Sequence, residues 1–175
     1  MTRWLSPEEQ QAWIRLAAVL ELLPGVLDSQ LSRDEGLTHF DYFALAMLSE
    51  APAQTLRMTT LAGWTGATLP RLSRVVSRLE SDGLVGRSPC PQDRRATNVS
   101  LTEVGWDKVV HAAPGHVDTV RRTVLDALGP GQLEQVSQIC AALLDVLDPD
   151  KKMFPQAESR VTVQAVAAGT SGAAG

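Results

Sequence analysis

Three arginines, Arg71, Arg74 and Arg78, recur at spacings of three and four residues, which places them along one flank of a helix. Ser73 and Ser77 lie among them, and Thr68 and Pro70 stand just ahead. Each guanidinium is planar, permanently charged and carries a fork of donors that matches a phosphate or the edge of a guanine. A second cationic point, Arg94 and Arg95, follows further along the chain. All belong to residues 55–100, where seven arginines face three acids for a net +4, whereas the rest of the 175-residue chain carries −8. The total of −4 conceals a basic middle held between acidic flanks, the electrostatic footprint of a polyanion site. On charge alone, a solvated basic face is the competing reading.

The elements that must position these side chains are legible from periodicity and caps. Ser6-Pro7-Glu8-Glu9 opens a first helix with a capping box and a proline in the first turn. Trp13, Leu16, Ala17, Leu20 and Leu23 continue it, and Pro24-Gly25 predicts a kink or interruption before Val26, Leu27 and Leu31. Thr38 caps a second helix whose inner face includes Phe43, Ala44, Met47 and Leu48, with Ala51-Pro52 at its end. A short third helix runs from about 59 to 64 and stops at Gly66. Thr68 caps the fourth, with Pro70 in its first turn. There Leu72, Val75, Val76 and Leu79 form an apolar stripe beside the arginine flank, and Gly83 sits just past the end.

Two short strands, 84–87 and 97–101, bracket a Pro-rich, charged tip at 89–95. Thr102 caps a fifth helix that bends at Pro114-Gly115 and reaches Leu128, and Gly129-Pro130-Gly131 then breaks the chain. In the last helix Leu133, Val136, Cys140, Leu143 and Leu147 make a seam for another helix, in the same chain or in a second copy. Because the hairpin and its neighbouring helices need only a minority of the chain, the two terminal helices are expected to pair copies of it. Residues 151–175, rich in Ala, Gly, Val, Thr and Ser, read as a disordered tail.

A short helix, a tight turn, an arginine-faced helix and a β-hairpin together describe a winged helix-turn-helix. The expected fold is therefore mainly α with a small β-hairpin wing, flanked by N- and C-terminal dimerisation helices. In that arrangement Thr68, Pro70, Arg71, Ser73 and Arg74 reach base edges in the major groove, and the helix N-terminus faces phosphate. Ser77 shares their flank, while Arg78 either meets a phosphate or pairs with Glu80 or Asp82. Arg94 and Arg95 at the hairpin tip reach an adjacent minor groove or the backbone.

The residues Leu61-Ala62, then Arg74 through Val85 (RVVSRLESDGLV), then Asp93-Arg94-Arg95, then Val99 through Gly105 (VSLTEVG) resemble the MarR family of bacterial transcription regulators. The likeness runs residue by residue over about 38–105. It implies a homodimer whose first and last helices interlock on a pseudo-palindromic operator in double-stranded DNA, acting as a repressor released by a small aromatic or phenolic effector. It further implies that Asp93 orients one wing arginine while the other meets DNA. Pro70 and Trp64 depart from the family pattern and bear on the operator sequence. The expected division is an N-terminal dimerisation helix (1–37), a winged lobe (38–105), C-terminal dimerisation helices (106–150) and the tail (151–175).

Among the aromatic residues, Trp13, His39 and Phe43 are the candidate effector-binding residues, and a histidine there could pair with a phenolate or carboxylate. A plain core stripe is the alternative. Cys90, next to the hairpin tip, offers a thiol switch or an inert wing residue, and Cys140 reads as core. The two cysteines are too far apart in sequence to suggest a zinc knuckle or a disulfide framework. His39, His111 and His116 lack metal-site spacing, and no phosphate loop or nucleophile elbow occurs, so neither enzyme activity, metal nor cofactor is expected. No apolar run approaches the roughly 18 residues of a bilayer span, and the start of the chain lacks a secretory pattern, so a cytoplasmic protein without membrane contact is expected. The remaining alternative, a helical protein-interaction module that has lost DNA binding, sits poorly with arginines on both helix and hairpin.

Overall fold

A computed structural model describes residues 1–91 and 93–153, apart from the side chain of Arg94. The expected tail therefore lies, from residue 154 on, outside the described residues.

Helix α1 (Pro7–Glu35) starts on a reciprocal capping box: Glu9 N–H donates to Ser6 Oγ at 3.2 Å, and Ser6 N–H to Glu9 Oε2 at 2.8 Å. It ends where Gly36 takes φ +67°, the left-handed conformation that lets Leu37 N–H reach back to the Leu31 carbonyl at 3.3 Å. Of the predicted kink or interruption at Pro24, the interruption is absent, and the helix runs through the proline. The proline is exposed, so the carbonyl that loses its donor faces water, and intact turns on both sides hold the helix. Pro114 is accommodated in the same way inside α5 (Glu103–Thr123), which ends short of the predicted Leu128; Leu125–Ala127 form a 3-10 turn instead.

Helix α2 (His39–Ser49) carries a second capping box, Thr38 with Asp41. Its buried face is Tyr42, Ala44, Leu45 and Leu48, with Phe43 and Met47 only half-buried, a rotation of the predicted inner face. A strand that sequence did not predict, β1 (Thr55–Arg57), leads directly into α3 (Met58–Trp64). After the turn at Gly66, α4 (Leu69–Ser81) buries Leu72, Val76 and Leu79 and half-buries Val75, as its periodicity required.

Strands β2 (Val85–Cys90) and β3 (Asp93–Leu101) are longer than predicted and absorb most of the expected loop at 89–95. The sheet order is β1-β3-β2, antiparallel throughout, with Arg57 opposite Asn98 and Arg87 opposite Val99. Cys90, at the end of β2, is buried. Gly105 in the first turn of α5 locks the hairpin root to that helix: a Cβ there would stand 2.0 Å from the Leu84 carbonyl oxygen and 2.9 Å from Leu101 Cδ1.

Among the described residues, helix α6 (Gln132–Leu147) has none that is buried. Cys140, expected in the core, is exposed along with Leu133, Val136, Ile139, Leu143 and Leu147. Trp13, Ile14, Val19 and Leu20 are likewise exposed on the first half of α1, whose burial begins at Leu27 and Leu31. Both apolar faces lack a partner among the described residues, whose core closes around α2, α3, α4, the sheet and α5.

Candidate nucleic-acid interface

Burying Leu72, Val76 and Leu79 turns the opposite side of α4 outward. Thr68, Pro70, Arg71, Arg74, Ser77 and Arg78 are exposed, and Ser73 is half-buried. Thr68 occupies the cap position, but its side chain makes no capping hydrogen bond. The first-turn N–H groups thus face outward under a helix of positive N-terminal potential.

The arginines differ in what holds them. Arg71 stacks its guanidinium 4.2 Å over the ring of Phe40. Arg78 pairs with Asp41 of α2, not with Glu80 or Asp82. Glu80 is instead taken by Arg87 of β2, whose Nε–H donates to Glu80 Oε2 at 2.9 Å and whose Nη2 donates to Ser77 Oγ at 2.6 Å. The guanidinium groups of Arg57, Arg74 and Arg95 are exposed and form no ion pair with any described residue. Arg57 heads α3 and adds a cation that periodicity did not single out.

On the hairpin, Asp93 Oδ1 accepts the backbone N–H of Arg95 at 3.0 Å, which shapes the start of β3. The side chain of Arg94 lies outside the described residues.

The candidate effector residues are not brought together. His39 and Phe43 lie on α2, but Trp13 is 55% exposed near the start of α1. Asp28, which accepts the backbone N–H of His39 at 2.9 Å, is fifteen residues further along α1, about 22 Å of helix. His39 instead stacks on His116 of α5 with ring centroids 6.1 Å apart, and Tyr42 lies 4.7 Å from His116. Burial lowers the pKa of His39 against the opposing charge of Asp28. Burial, then the neighbouring His39, lowers that of His116. Burial pushes the Tyr42 hydroxyl up to about 12. Gln30 Oε1 and His116 Nδ1 are buried at this junction without a hydrogen-bond partner.

Sequence reasoning missed Phe40, Asp41 and Arg87 as parts of the site. Thr38-x-x-Asp41 has capping-box spacing, which explains Asp41 locally, but nothing in the sequence ties it to an arginine 37 residues away. Among the described residues no group of His, Cys, Asp and Glu could hold a metal, and no helix is long and apolar enough to cross a membrane.

The sequence profile of the MarR family matches residues 37–97. Sco3205 of Streptomyces coelicolor, a MarR family transcriptional regulator solved in complex with DNA, is 41% identical, with a TM-score of 0.82 over 86% of this chain and 94% of that one. AbsC of the same organism, also a MarR family regulator, is 38% identical, with a TM-score of 0.79 over 83% of this chain and 98% of its own. The helix-turn-helix-type transcriptional regulator YdcH of Bacillus subtilis is 36% identical over 80 residues, which span 45% of this chain and about half (54%) of that relative.

Proposed function

Since the chain belongs to the MarR family of transcriptional regulators, we propose that it binds double-stranded DNA as a homodimer and regulates transcription from the operator it occupies. One observation carries this reading: Arg74, on the outward flank of α4, is exposed and unpaired among the described residues, while Arg87 fastens the hairpin to that same helix. An unpaired arginine on a helix that could enter a major groove is poised for a guanine edge or a phosphate. Thr68, Pro70, Arg71 and Ser73 belong to the end of α4 that enters the groove, Ser77 and Arg78 to its far end, and Arg94 and Arg95 to the wing.

The second copy is supplied by the unpartnered apolar faces of α1 and α6. They divide the chain into terminal dimerisation helices (1–37 and 106–150) around a DNA-binding lobe (38–105). A pseudo-palindromic site then requires the two α4 helices to stand one turn of DNA apart, about 34 Å. The test is a binding titration on the promoter region adjoining the chain's own gene, against an unrelated duplex, over a range of salt. Preference for the promoter together with a steep loss of affinity as salt rises supports the reading. Equal and salt-independent binding to both duplexes rejects it in favour of a protein-interaction module.

Effector release of the DNA is the second part of the proposal. The junction of Gln30, His39, Tyr42 and His116 favours it, because two buried polar atoms there await partners. Trp13 could join that junction only from the second copy. A phenolic carboxylate such as salicylate is the probe, and its arrival should quench tryptophan emission and lower DNA affinity together.

A further inference from the structure

Two consecutive residues in the first turn of α2 hold two arginines of α4. Phe40 lies under the guanidinium of Arg71 at 4.2 Å, and Asp41 pairs with Arg78. Arg71 and Arg78 are seven residues apart, about 10 Å along the helix and on nearly the same line of its surface. Phe40 and Asp41 thus grip the outward flank of α4 near both its ends, with Arg74 left unpaired between them.

The Asp41 carboxylate is 4% exposed, whereas the Arg78 side chain is 52% exposed. The two Asp41 oxygens have separate duties. Oδ2 accepts the Thr38 N–H at 2.9 Å and Oδ1 faces Arg78. A buried carboxylate with one cationic partner cannot release it without leaving an uncompensated charge in the core. Arg78 is therefore not a freely swinging surface cation. A guanidinium carries five N–H donors in one rigid plane, and Asp41 engages Nη2 only. Holding that one corner restricts the direction of the others on a side chain that is still 52% exposed.

We propose that Asp41 is a positioning residue for DNA recognition: by holding one corner of Arg78 it aims the remaining donors of that guanidinium at a single backbone phosphate. Phe40 does the same for Arg71 through its ring face. The proposal rests on the DNA-binding reading and adds what that reading leaves open, namely how the flexible cations of α4 acquire one geometry. An arginine aimed in advance loses less conformational freedom on binding, and the gain appears only where the phosphate sits in register. Asp41 thus acts on the preference for the operator over other DNA, not on attraction to DNA in general.

The experiment compares the intact chain with Asp41→Asn, Arg78→Lys and the double variant on two duplexes, the adjoining promoter region and an unrelated sequence of equal length. Asn keeps the shape and can still accept the Thr38 N–H, and Lys keeps the charge without the fork. Each single variant should lose about tenfold in affinity for the promoter. On the unrelated duplex the salt slope should be unchanged, because every variant keeps a cation at position 78, and any change in affinity there should be smaller than the loss on the promoter. The double variant should lose no more than either single one, the signature of two residues acting through one contact. Arg78→Lys leaves the core carboxylate paired with a cation, so it tests the geometry even where Asp41→Asn folds poorly. A promoter preference retained within about a factor of two in both single variants, or losses that add in the double variant, overturns the positioning role alone. An intact chain that shows no preference between the duplexes overturns the DNA-binding reading along with it.

Discussion

Arg87 of β2 donates to Glu80 Oε2 at 2.9 Å, and the Arg87 backbone N–H donates to Glu80 Oε1 at 3.1 Å, so one carboxylate in the last turns of α4 holds both the strand and its side chain. The root of the wing is thereby fastened to the helix that carries Arg74. Replacing Glu80 with Ala should cost about 1 kcal/mol or less of stability, since the pair is partly exposed. It should nevertheless lower promoter affinity severalfold by letting the wing drift. Parallel urea melts and binding titrations check this, and unchanged affinity would show that the wing holds its pose without Glu80.

Arg74→Ala removes the unpaired cation at the centre of the α4 flank. Promoter affinity should fall about 10- to 100-fold, the range for losing one well-placed base or phosphate contact. Circular dichroism and dimer size should stay as they are, because Arg74 is exposed and forms no ion pair with any described residue. Affinity held within about a factor of two would remove α4 from the interface.

Arg95→Ala tests the wing through salt. If Arg95 neutralises one phosphate, the slope of log affinity against log salt becomes shallower by about 0.9. An unaltered slope places that guanidinium away from DNA.

Gly105→Ala should destabilise the fold by about 3 kcal/mol, at the upper end of overpacking costs. The added Cβ would meet the Leu84 carbonyl oxygen at 2.0 Å, and backbone cannot step aside as a flexible side chain would. Thermal or urea unfolding measures it. A loss below about 1 kcal/mol would mean that α5 and the hairpin root can part cheaply.

Stability should also fall on mild acidification. His39 and His116 both have lowered pKa values in the fold, chiefly through burial. Below the ordinary histidine value of about 6.5, the unfolded chain takes up protons that the folded chain resists. Their contribution is therefore complete above about pH 6.5 and is lost as pH drops toward the folded values. Urea melts at about pH 7.5 and 5.5 should show the loss, and His116→Gln should shrink it. An equal loss in the variant would assign the effect to other groups.

Leu143→Glu, on the exposed apolar seam of α6, should weaken self-association by at least about a hundredfold, because each dimer would bury two unpaired carboxylates. Sedimentation reads the outcome, and a persistent dimer would move the interface off α6.

What the sequence by itself determined is what short-range physics controls. The caps at Ser6, Thr38 and Thr102, the glycine turns at 66 and 83, and the stripe of Leu72, Val76 and Leu79 all depend on residues within a turn or two of one another. From these the order of helices and hairpin followed, and with it the outward flank of Arg71, Arg74 and Arg78. Where the local signal was equivocal the reading slipped. At Pro24 the alternative of an interruption gave way to a continuous helix, and the prolines of the hairpin concealed strands that the pairing of β2 with β3 stabilises. Only the tertiary structure decided which arginines are held and which stand free. Phe40 under Arg71, Asp41 on Arg78 and Glu80 on Arg87 join residues from different elements, and which charges meet depends on helix crossings and sheet register. Electrostatic attraction has no memory of chain order, so the partners of a charge become visible only once the backbone has placed them.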